Sequence, residues 1–100
     1  MTNRPANLPT HLQHHIGGRD VDSIGAETFE VIDPVSNEVY ATAAAGQQAD
    51  VDAAVAAATL AFEEGPWPRM KARERARILM RIADVVASRD DELSAYESFD

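Results

Sequence analysis

The sequence predicts a mixed α and β fold in which short strands come first and amphipathic helices follow. Before Gly46, β-branched and aromatic residues occur in short runs separated by glycine, proline and asparagine, which is typical of strands and turns. After Gly46, apolar residues recur every three or four positions, as on one face of a helix. The chain has 100 residues, of which 45% are hydrophobic and 26% charged, as in a small globular domain.

Charge and composition exclude several classes of function. Seventeen acidic residues against nine basic ones give a formal charge of -8, so nucleic acid and anionic membranes are poor partners. The absence of cysteine removes disulfides, thiolate nucleophiles and cysteine-ligated metals. The most apolar run, residues 53–62, has about half the length of a membrane span, and no secretory signal follows Met1. We therefore expect a cytoplasmic protein.

The chain divides at residue 13. Residues 1–13 contain prolines and asparagines without apolar periodicity and are predicted to form a flexible N-terminal tail. Residues 14–100 are predicted to be structured and to begin with a hairpin. Its turn is Gly17-Gly18, because glycine supplies the positive φ that a two-residue turn requires, and Ile16 and Val21 should lie on one side.

A second hairpin is predicted over residues 28–42. Phe29, Val31 and Val39 belong to strand-like runs. The intervening residues 33–37, Asp-Pro-Val-Ser-Asn, carry turn chemistry, so this is the clearest strand signal in the sequence.

An Ala-rich amphipathic helix is predicted between Gly46 and Gly65. Its apolar stripe has spacings of four, three and four residues and consists of Val51, Val55, Ala58 and Phe62. Asp50 and Asp52 lie near the helix start, where the helix dipole favours anions. Gly65-Pro66 ends the helix, since proline cannot continue it.

Two more helices are predicted after a proline-containing loop. Prolines flank Trp67 and cannot sit inside an α-helix, so this segment is predicted to be a loop, and the indole is expected to fill the gap between the flanking helices. The second helix spans residues 72–88, and its wide apolar face should be well buried: Ile78, Leu79, Ile82, Val85 and Val86. The third helix begins around Asp90, and three of its side chains should point inward, Leu93, Tyr96 and Phe99.

Three histidines near the N-terminus form the first cluster that could carry chemistry. His11, His14 and His15 have spacings that zinc or nickel could use. No cysteine or carboxylate lies within several residues of them, so no metal is assigned there. The sequence contains no glycine-rich phosphate loop, zinc-protease motif or plausible Ser-His-Asp set.

Basic residues form the second cluster, on the second predicted helix. Arg73, Arg77 and Arg81 would align there as one positive ridge. Pairing of Glu74 with Arg77 and of Arg81 with Asp84 predicts a solvated, compensated face. Contact with an acidic surface on another subunit or domain is the functional alternative.

Four sequence blocks are more informative in their order than singly. They read HHIGGRDV, FEVIDPVSNEVYATAAAG, ADVDAAVAAATLAFEEGPWPRM and RERARILMRIADVVASRDDELSAYESFD. In this order they resemble the N-terminal region of the aldehyde dehydrogenase superfamily over nearly all of residues 14–100. Asp33, Asn37 and Phe99 replace the usual Asn, Gly and Leu. Because Asn tolerates the left-handed conformation and Asp can accept a bond from its own turn, the turn should be retained.

The resemblance implies an α/β fold: a truncated N-terminal part of a Rossmann-like cofactor-binding domain, with short β-hairpins followed by amphipathic helices. It implies a homo-oligomeric parent enzyme that oxidises an aldehyde to an acid through a cysteine thiohemiacetal, with NAD or NADP as cofactor. The family's catalytic Cys, Glu and Asn and its cofactor loop fall beyond residue 100. No catalytic or cofactor-binding residue is therefore assigned here, and the chain alone should not catalyse the reaction. The stretch from Gly65 to Asp84 is similar to bacterial members that oxidise semialdehydes, including hydroxymuconic semialdehydes.

The resemblance also implies half of a monovalent cation site. Family members that bind a structural cation use backbone carbonyls before the Asn-Pro turn and a downstream Asp, which correspond to Val31, Ile32 and Asp100. A cation would neutralise a carboxylate at the end of a helix, where the dipole is unfavourable to anions. The residues alone leave open whether Asp100 binds an ion or is only the last residue of a truncated chain.

Two other interpretations remain from the residues alone. One is a free-standing α+β module that binds proteins through its acidic surface and basic ridge. The other is a helical interaction domain that dimerises through the Ile78, Ile82 and Val85 stripe, although the predicted strands disfavour a purely helical bundle.

Overall fold

The computed structural model describes residues 4–99, and its strands precede its helices, as predicted. The strands are β1 His11–Leu12, β2 His14–Ile16, β3 Arg19–Val21, β4 Thr28–Ile32 and β5 Val39–Ala44. The helices are α1 Gln48–Glu64, a one-turn 3-10 helix Trp67–Arg69, α2 Ala72–Ser88 and α3 Asp90–Phe99. Within residues 4–99, no helix combines the length and the apolar character needed to cross a membrane.

Strands β2 and β3 form the first predicted hairpin. They pair antiparallel, in a register that places Ile16 and Val21 on the same face. Gly17 and Gly18 have φ values of 62° and 78°, in the left-handed region that favours glycine. The predicted hairpin and its turn are confirmed.

Strands β4 and β5 form the second predicted hairpin, and β1 extends it into a three-stranded sheet. The strand order is β1-β5-β4, with β1 parallel to β5 and His11 opposite Thr42. Regular structure thus begins before the predicted boundary at residue 13, because the N–H of Thr42 donates to the carbonyl of Thr10 at 2.9 Å. A two-residue strand has no periodicity that sequence could reveal. Residues 1–3 of the predicted tail lie outside the described residues.

Helix α1 has the predicted ends, but its predicted apolar stripe is exposed. Val51, Val55 and Phe62 are all exposed, and Phe62 is 78% accessible. The side that packs within the chain carries small residues instead, because the hairpin turn approaches the helix at Gly17, whose position lies against Ala57. A close approach of two backbones requires small side chains. The covered side of α1 is therefore the side that carries alanines, and not the side that carries the valines.

Helix α2 has the predicted bounds but not the predicted burial. None of its side chains is buried, and Leu79 and Ile82 are 57% and 54% exposed. The described chain is thin, 49 × 36 × 16 Å, and α2 has its main neighbour in α3. The expected burial is wrong for this chain because residues 4–99 supply no second layer over the apolar side.

Trp67 does not close the gap between the flanking helices. Its side chain is exposed at the edge of an open cavity of about 480 Å³, which Ala61, Phe62 and Arg75 also line. The indole therefore lies between α1 and α2, as expected, but leaves the space partly unfilled.

The small core of the described chain lies along β5. Its buried apolar residues are Ala41, Ala44 and Phe99. Three polar side chains, Ser23, Asp33 and Asp50, are equally buried. Of the inward positions predicted for α3, Phe99 is buried, Tyr96 is half-buried and Leu93 is exposed. The best-packed region is thus the β4–β5 hairpin together with the end of α3.

Candidate functional site

The β4–β5 hairpin contains an irregularity at the residues expected to bind a cation. Val31 pairs with Ala41 and Ile32 pairs with Val39, so β5 has one extra residue, Tyr40, opposite the Val31–Ile32 step. Such a bulge locally disrupts the ladder of backbone hydrogen bonds and bends the strand. The irregularity therefore falls between the two residues whose carbonyls the family resemblance singled out.

The turn that follows β4 is built around Asp33. The buried Asp33 carboxylate accepts the N–H of Val35 at 2.9 Å and the hydroxyl of Ser36 at 3.0 Å. Asn37 has φ 61° and donates its N–H to the Asp33 carbonyl at 2.7 Å. Both replacements therefore do what was expected of them: Asp33 accepts bonds from its own turn, and Asn37 takes the left-handed conformation.

Tyr40 is held by residues from both ends of the described chain. The Phe99 ring packs edge-on against the Tyr40 ring, with centroids 4.8 Å apart and planes at 82°. The Arg4 guanidinium lies 5.7 Å from the Tyr40 ring centroid. It also donates to the Tyr40 carbonyl and to the carbonyls of Leu8 and Pro9. These contacts bring the start of the chain, β5 and the end of α3 together.

A cavity of about 700 Å³ opens beside this contact. Its lining includes Arg4, Asp33, Tyr40 and Phe99. Asp100, the third member of the implied cation site, lies outside the described residues. The donor set of two carbonyls and one carboxylate contains only oxygen, which suits a hard cation. The structure thus places Val31 and Ile32 opposite the β5 bulge, whose extra residue, Tyr40, contacts Phe99.

The three histidines are engaged in separate local contacts. His11 bridges Thr42 Oγ1 at 3.0 Å and Asp22 Oδ1 at 2.8 Å. His15 lies 2.9 Å from Asp20. Within the part of the chain that is described, no group of three or more histidine and carboxylate side chains is placed to hold a metal ion.

Residues 22–24 connect the first hairpin to the sheet and to α1. The hydrogen bond with His11 lowers the pKa of the Asp22 carboxyl below its ordinary value. The Ser23 hydroxyl lies 3.2 Å from His14 and donates to the Ala45 carbonyl at 2.6 Å. The next residue, Ile24, donates its N–H to Asp50 at the start of α1, at 2.8 Å.

The sequence indicates only part of the role of Asp50. Its carboxylate accepts the N–H of Gln47 at 3.0 Å, which caps α1, and the N–H of Ile24. These two backbone bonds lower the pKa of Asp50, Gln47 contributing more. A Gln three residues before an Asp at a helix start resembles a capping box, so the cap was detectable, but the long-range bond to Ile24 was not.

The predicted charge compensation along α2 differs from the observed pairs. Among residues 4–99, Glu74 forms no ion pair with Arg77, and Arg81 forms none with Asp84. The ion pair at this end of the fold joins Arg89 to Glu92 at 2.9 Å. Because long exposed side chains gain little from pairing, the ridge of Arg73, Arg77 and Arg81 is left solvated.

Comparison with known proteins identifies the family to which this chain belongs. The family model described as "Aldehyde dehydrogenase family" matches residues 21–100. The chain is 45% identical over 96 residues to aldehyde dehydrogenase family 2 member B4, mitochondrial, from Arabidopsis thaliana, covering 96% of this chain and 18% of that protein. The chain therefore belongs to the aldehyde dehydrogenase family.

Solved structures agree in fold. An NAD-dependent aldehyde dehydrogenase from Sinorhizobium meliloti superposes with a TM-score of 0.85 at 36% identity, over 99% of this chain and 20% of that one. An aldehyde dehydrogenase from Bacillus cereus, solved as its NAD+ complex, gives a TM-score of 0.85 at 39% identity over 90% and 18%. The α/β fold is that of the N-terminal, cofactor-binding region of the family, and the chain spans about a fifth of these relatives.

Proposed function

We propose that this chain is the N-terminal segment of a longer NAD-dependent aldehyde dehydrogenase, in which it serves as scaffold for the cofactor-binding domain. The observation that carries the proposal is the coverage: nearly all of this chain aligns with relatives of which it spans 18 to 20%. The uncovered apolar sides of α1 and α2 are further support, because large exposed apolar patches mark surfaces that contact other structure.

The reaction proposed for the parent enzyme is oxidation of an aldehyde to a carboxylic acid. The sequence contains no cysteine, so the thiol that forms the thiohemiacetal belongs to a later part of the polypeptide. When bound, NAD or NADP supplies the hydride acceptor. The NAD+ complex of the Bacillus cereus relative supports NAD. The residues described here contribute position and support to that domain and take no chemical step.

The substrate class proposed is a semialdehyde, such as a hydroxymuconic semialdehyde. The proposal rests on the resemblance that the sequence between Gly65 and Asp84 bears to bacterial members with that activity. We also propose a cytoplasmic homo-oligomer, the assembly usual in this family.

A monovalent cation site is part of the proposal. Its ligands would be the carbonyls of Val31 and Ile32 and the carboxylate of Asp100. The bulge opposite the Val31–Ile32 step supports it, because the strands bend there and depart from regular ladder geometry. The end of α3 supports it too, since a helix C-terminus favours positive charge.

The activity is tested on the complete product of the gene. The purified protein is mixed with NAD+ or NADP+ and a panel of simple aldehydes and semialdehydes, and reduced nicotinamide is followed by absorbance. We expect reduction with at least one aldehyde, a higher kcat/KM for a semialdehyde, and loss of activity after alkylation of thiols. If the complete protein reduces neither cofactor with any aldehyde, the proposal is contradicted and the interpretation as a protein-interaction module is favoured.

A further inference from the structure

One side of α2 forms an open groove that is aliphatic except for one arginine. Across residues 4–99, the groove measures about 420 Å³ and is lined by Ile78, Arg81, Ile82, Val85 and Val86. Ile82, Val85 and Val86 are each more than half exposed. Arg81 follows Ile78 by three residues and precedes Val85 by four, so these side chains share one face of the helix. A segment that fills the groove therefore meets the Arg81 guanidinium together with the aliphatic side chains.

The positive charge at the edge of this groove is not compensated in the described part of the chain. Neither Asp84, three residues further along α2, nor another carboxylate within residues 4–99 forms an ion pair with Arg81. Arg73 and Arg77 precede Arg81 at intervals of four residues and add charge of the same sign. The groove thus combines an apolar floor with an edge that attracts anions.

Covering the groove moves the Arg81 guanidinium out of bulk water. Arginine keeps its charge there because it cannot be deprotonated in proteins, and its N–H groups then require acceptors in place of water. A carboxylate can accept two of these hydrogen bonds at once while it compensates the charge. Arg81 therefore selects an acidic occupant, and the aliphatic lining selects an apolar one.

The length of the relatives indicates where this occupant belongs. The chain spans 18% of the Arabidopsis relative and 20% of the Sinorhizobium structure, so most of the length of such a protein lies outside the described chain. Helices bury their apolar sides against other elements of the same domain. We propose that a segment beyond residue 100 of the parent polypeptide fills the α2 groove with apolar side chains and pairs one Asp or Glu carboxylate with Arg81. This inference rests on the proposed function.

The test uses Arg81→Lys in the complete gene product. This substitution keeps the positive charge and supplies an amine that a carbodiimide can couple to a carboxylate in direct contact. Digestion and peptide mass spectrometry then identify the residue coupled to position 81. A second measurement is the Tm of Arg81→Met, which keeps an unbranched side chain without the charge. Arg19→Lys and Arg19→Met are the matched controls, because Arg19 is an exposed arginine on β3 and does not line the groove.

We expect an amide bond between position 81 and an Asp or Glu beyond residue 100 of the same polypeptide, and none at position 19. Arg81→Met should lower Tm by several degrees because it leaves a covered carboxylate unpaired, whereas Arg19→Met should change Tm little.

Three results of the coupling experiment would overturn the inference: no coupling at position 81, coupling only to a residue within 1–100, or a covalent dimer, which would place a second copy in the groove. If the complete protein still oxidises an aldehyde with NAD+, the proposed function stands after any of these results. A complete protein that reduces neither NAD+ nor NADP+ overturns the proposed function and this inference with it.

Discussion

The Asp50 carboxylate accepts the backbone N–H of Ile24 at 2.8 Å, across 26 positions of sequence. The same carboxylate caps α1 through the N–H of Gln47. One buried side chain therefore fixes both the start of the helix and the loop that leaves the first hairpin. Two donors on one carboxylate stabilise its ionised form, which explains the lowered pKa.

Replacement of Asp50 by alanine should lower the Tm of the complete gene product by several degrees, because two partly buried backbone hydrogen bonds lose their acceptor. Asp52→Ala is the matched control, since Asp52 is exposed and, within residues 4–99, accepts a hydrogen bond from the Gln48 side chain alone. Thermal unfolding of both variants measures the difference. Equal effects at positions 50 and 52 would contradict this role for Asp50.

Asp50 should also contribute to acid sensitivity. Its pKa is lowered in the folded protein, so its stabilising contribution is present above the ordinary value of about 3.8 and is lost as the pH falls through the folded value. Asp50→Asn should therefore flatten the dependence of Tm on pH below about pH 4. If the Tm of the wild type and of the variant fell equally with decreasing pH, this role of Asp50 in acid sensitivity would be contradicted.

Gly65 should resist substitution although its φ of -73° suits any residue. A Cβ at this position would lie 2.4 Å from the Ala61 carbonyl oxygen, so the end of α1 would have to move. We expect Gly65→Ala to destabilise the protein by about 1–3 kcal/mol, as overpacking does. Gly25→Ala is the control, because its Cβ would meet only Glu27 side-chain atoms near 4 Å. Denaturant unfolding measures the free energy of unfolding of the two variants. Equal values would contradict the steric explanation.

The uncovered side of α2 predicts that residues 1–100, produced alone, bind a hydrophobic dye. Ile82→Glu should reduce dye fluorescence, because it places charge in the middle of the exposed apolar surface. Ala87→Glu should change it little, since residue 87 lies on the opposite side of the helix from Ile78. A chain that melts sharply without binding dye would contradict the need for a covering layer.

The Arg89–Glu92 pair should affect titration more than stability. Arg89 lowers the pKa of Glu92, and the Tyr96 hydroxyl adds to this through its own hydrogen bond. In Arg89→Met, the pKa of Glu92 measured by NMR should rise while the Tm stays nearly constant, because exposed pairs stabilise little. An unchanged pKa of Glu92 in this variant would show that Arg89 is not the main cause of its lowered value.

Local features of the fold were predictable from the sequence because local chemistry determines them. Gly17-Gly18 requires a turn, and the apolar period of α2 gave its bounds at residues 72–88. Burial was not predictable in the same way. The period of a helix identifies its apolar side, but only the tertiary arrangement decides what covers that side, and for α2 residues 4–99 provide no cover.

The residues of the candidate site were predictable from the sequence, but the strand register and tertiary contacts around them were not. Val31 and Ile32 were identified through family resemblance, and no feature of their own chemistry indicated them. The bulge at Tyr40 depends on strand register, and the contact with Phe99 joins residues 59 positions apart, so neither leaves a periodic signal. Asp22 and Ser23 likewise gain their roles from partners on other strands.

The central claim is that this chain begins a longer aldehyde dehydrogenase, and the most direct test is to read the gene beyond the Asp100 codon. We expect the reading frame to continue into a glycine-rich cofactor loop and a cysteine. A stop codon directly after Asp100 would contradict the claim and leave a free-standing module with an aldehyde dehydrogenase fold.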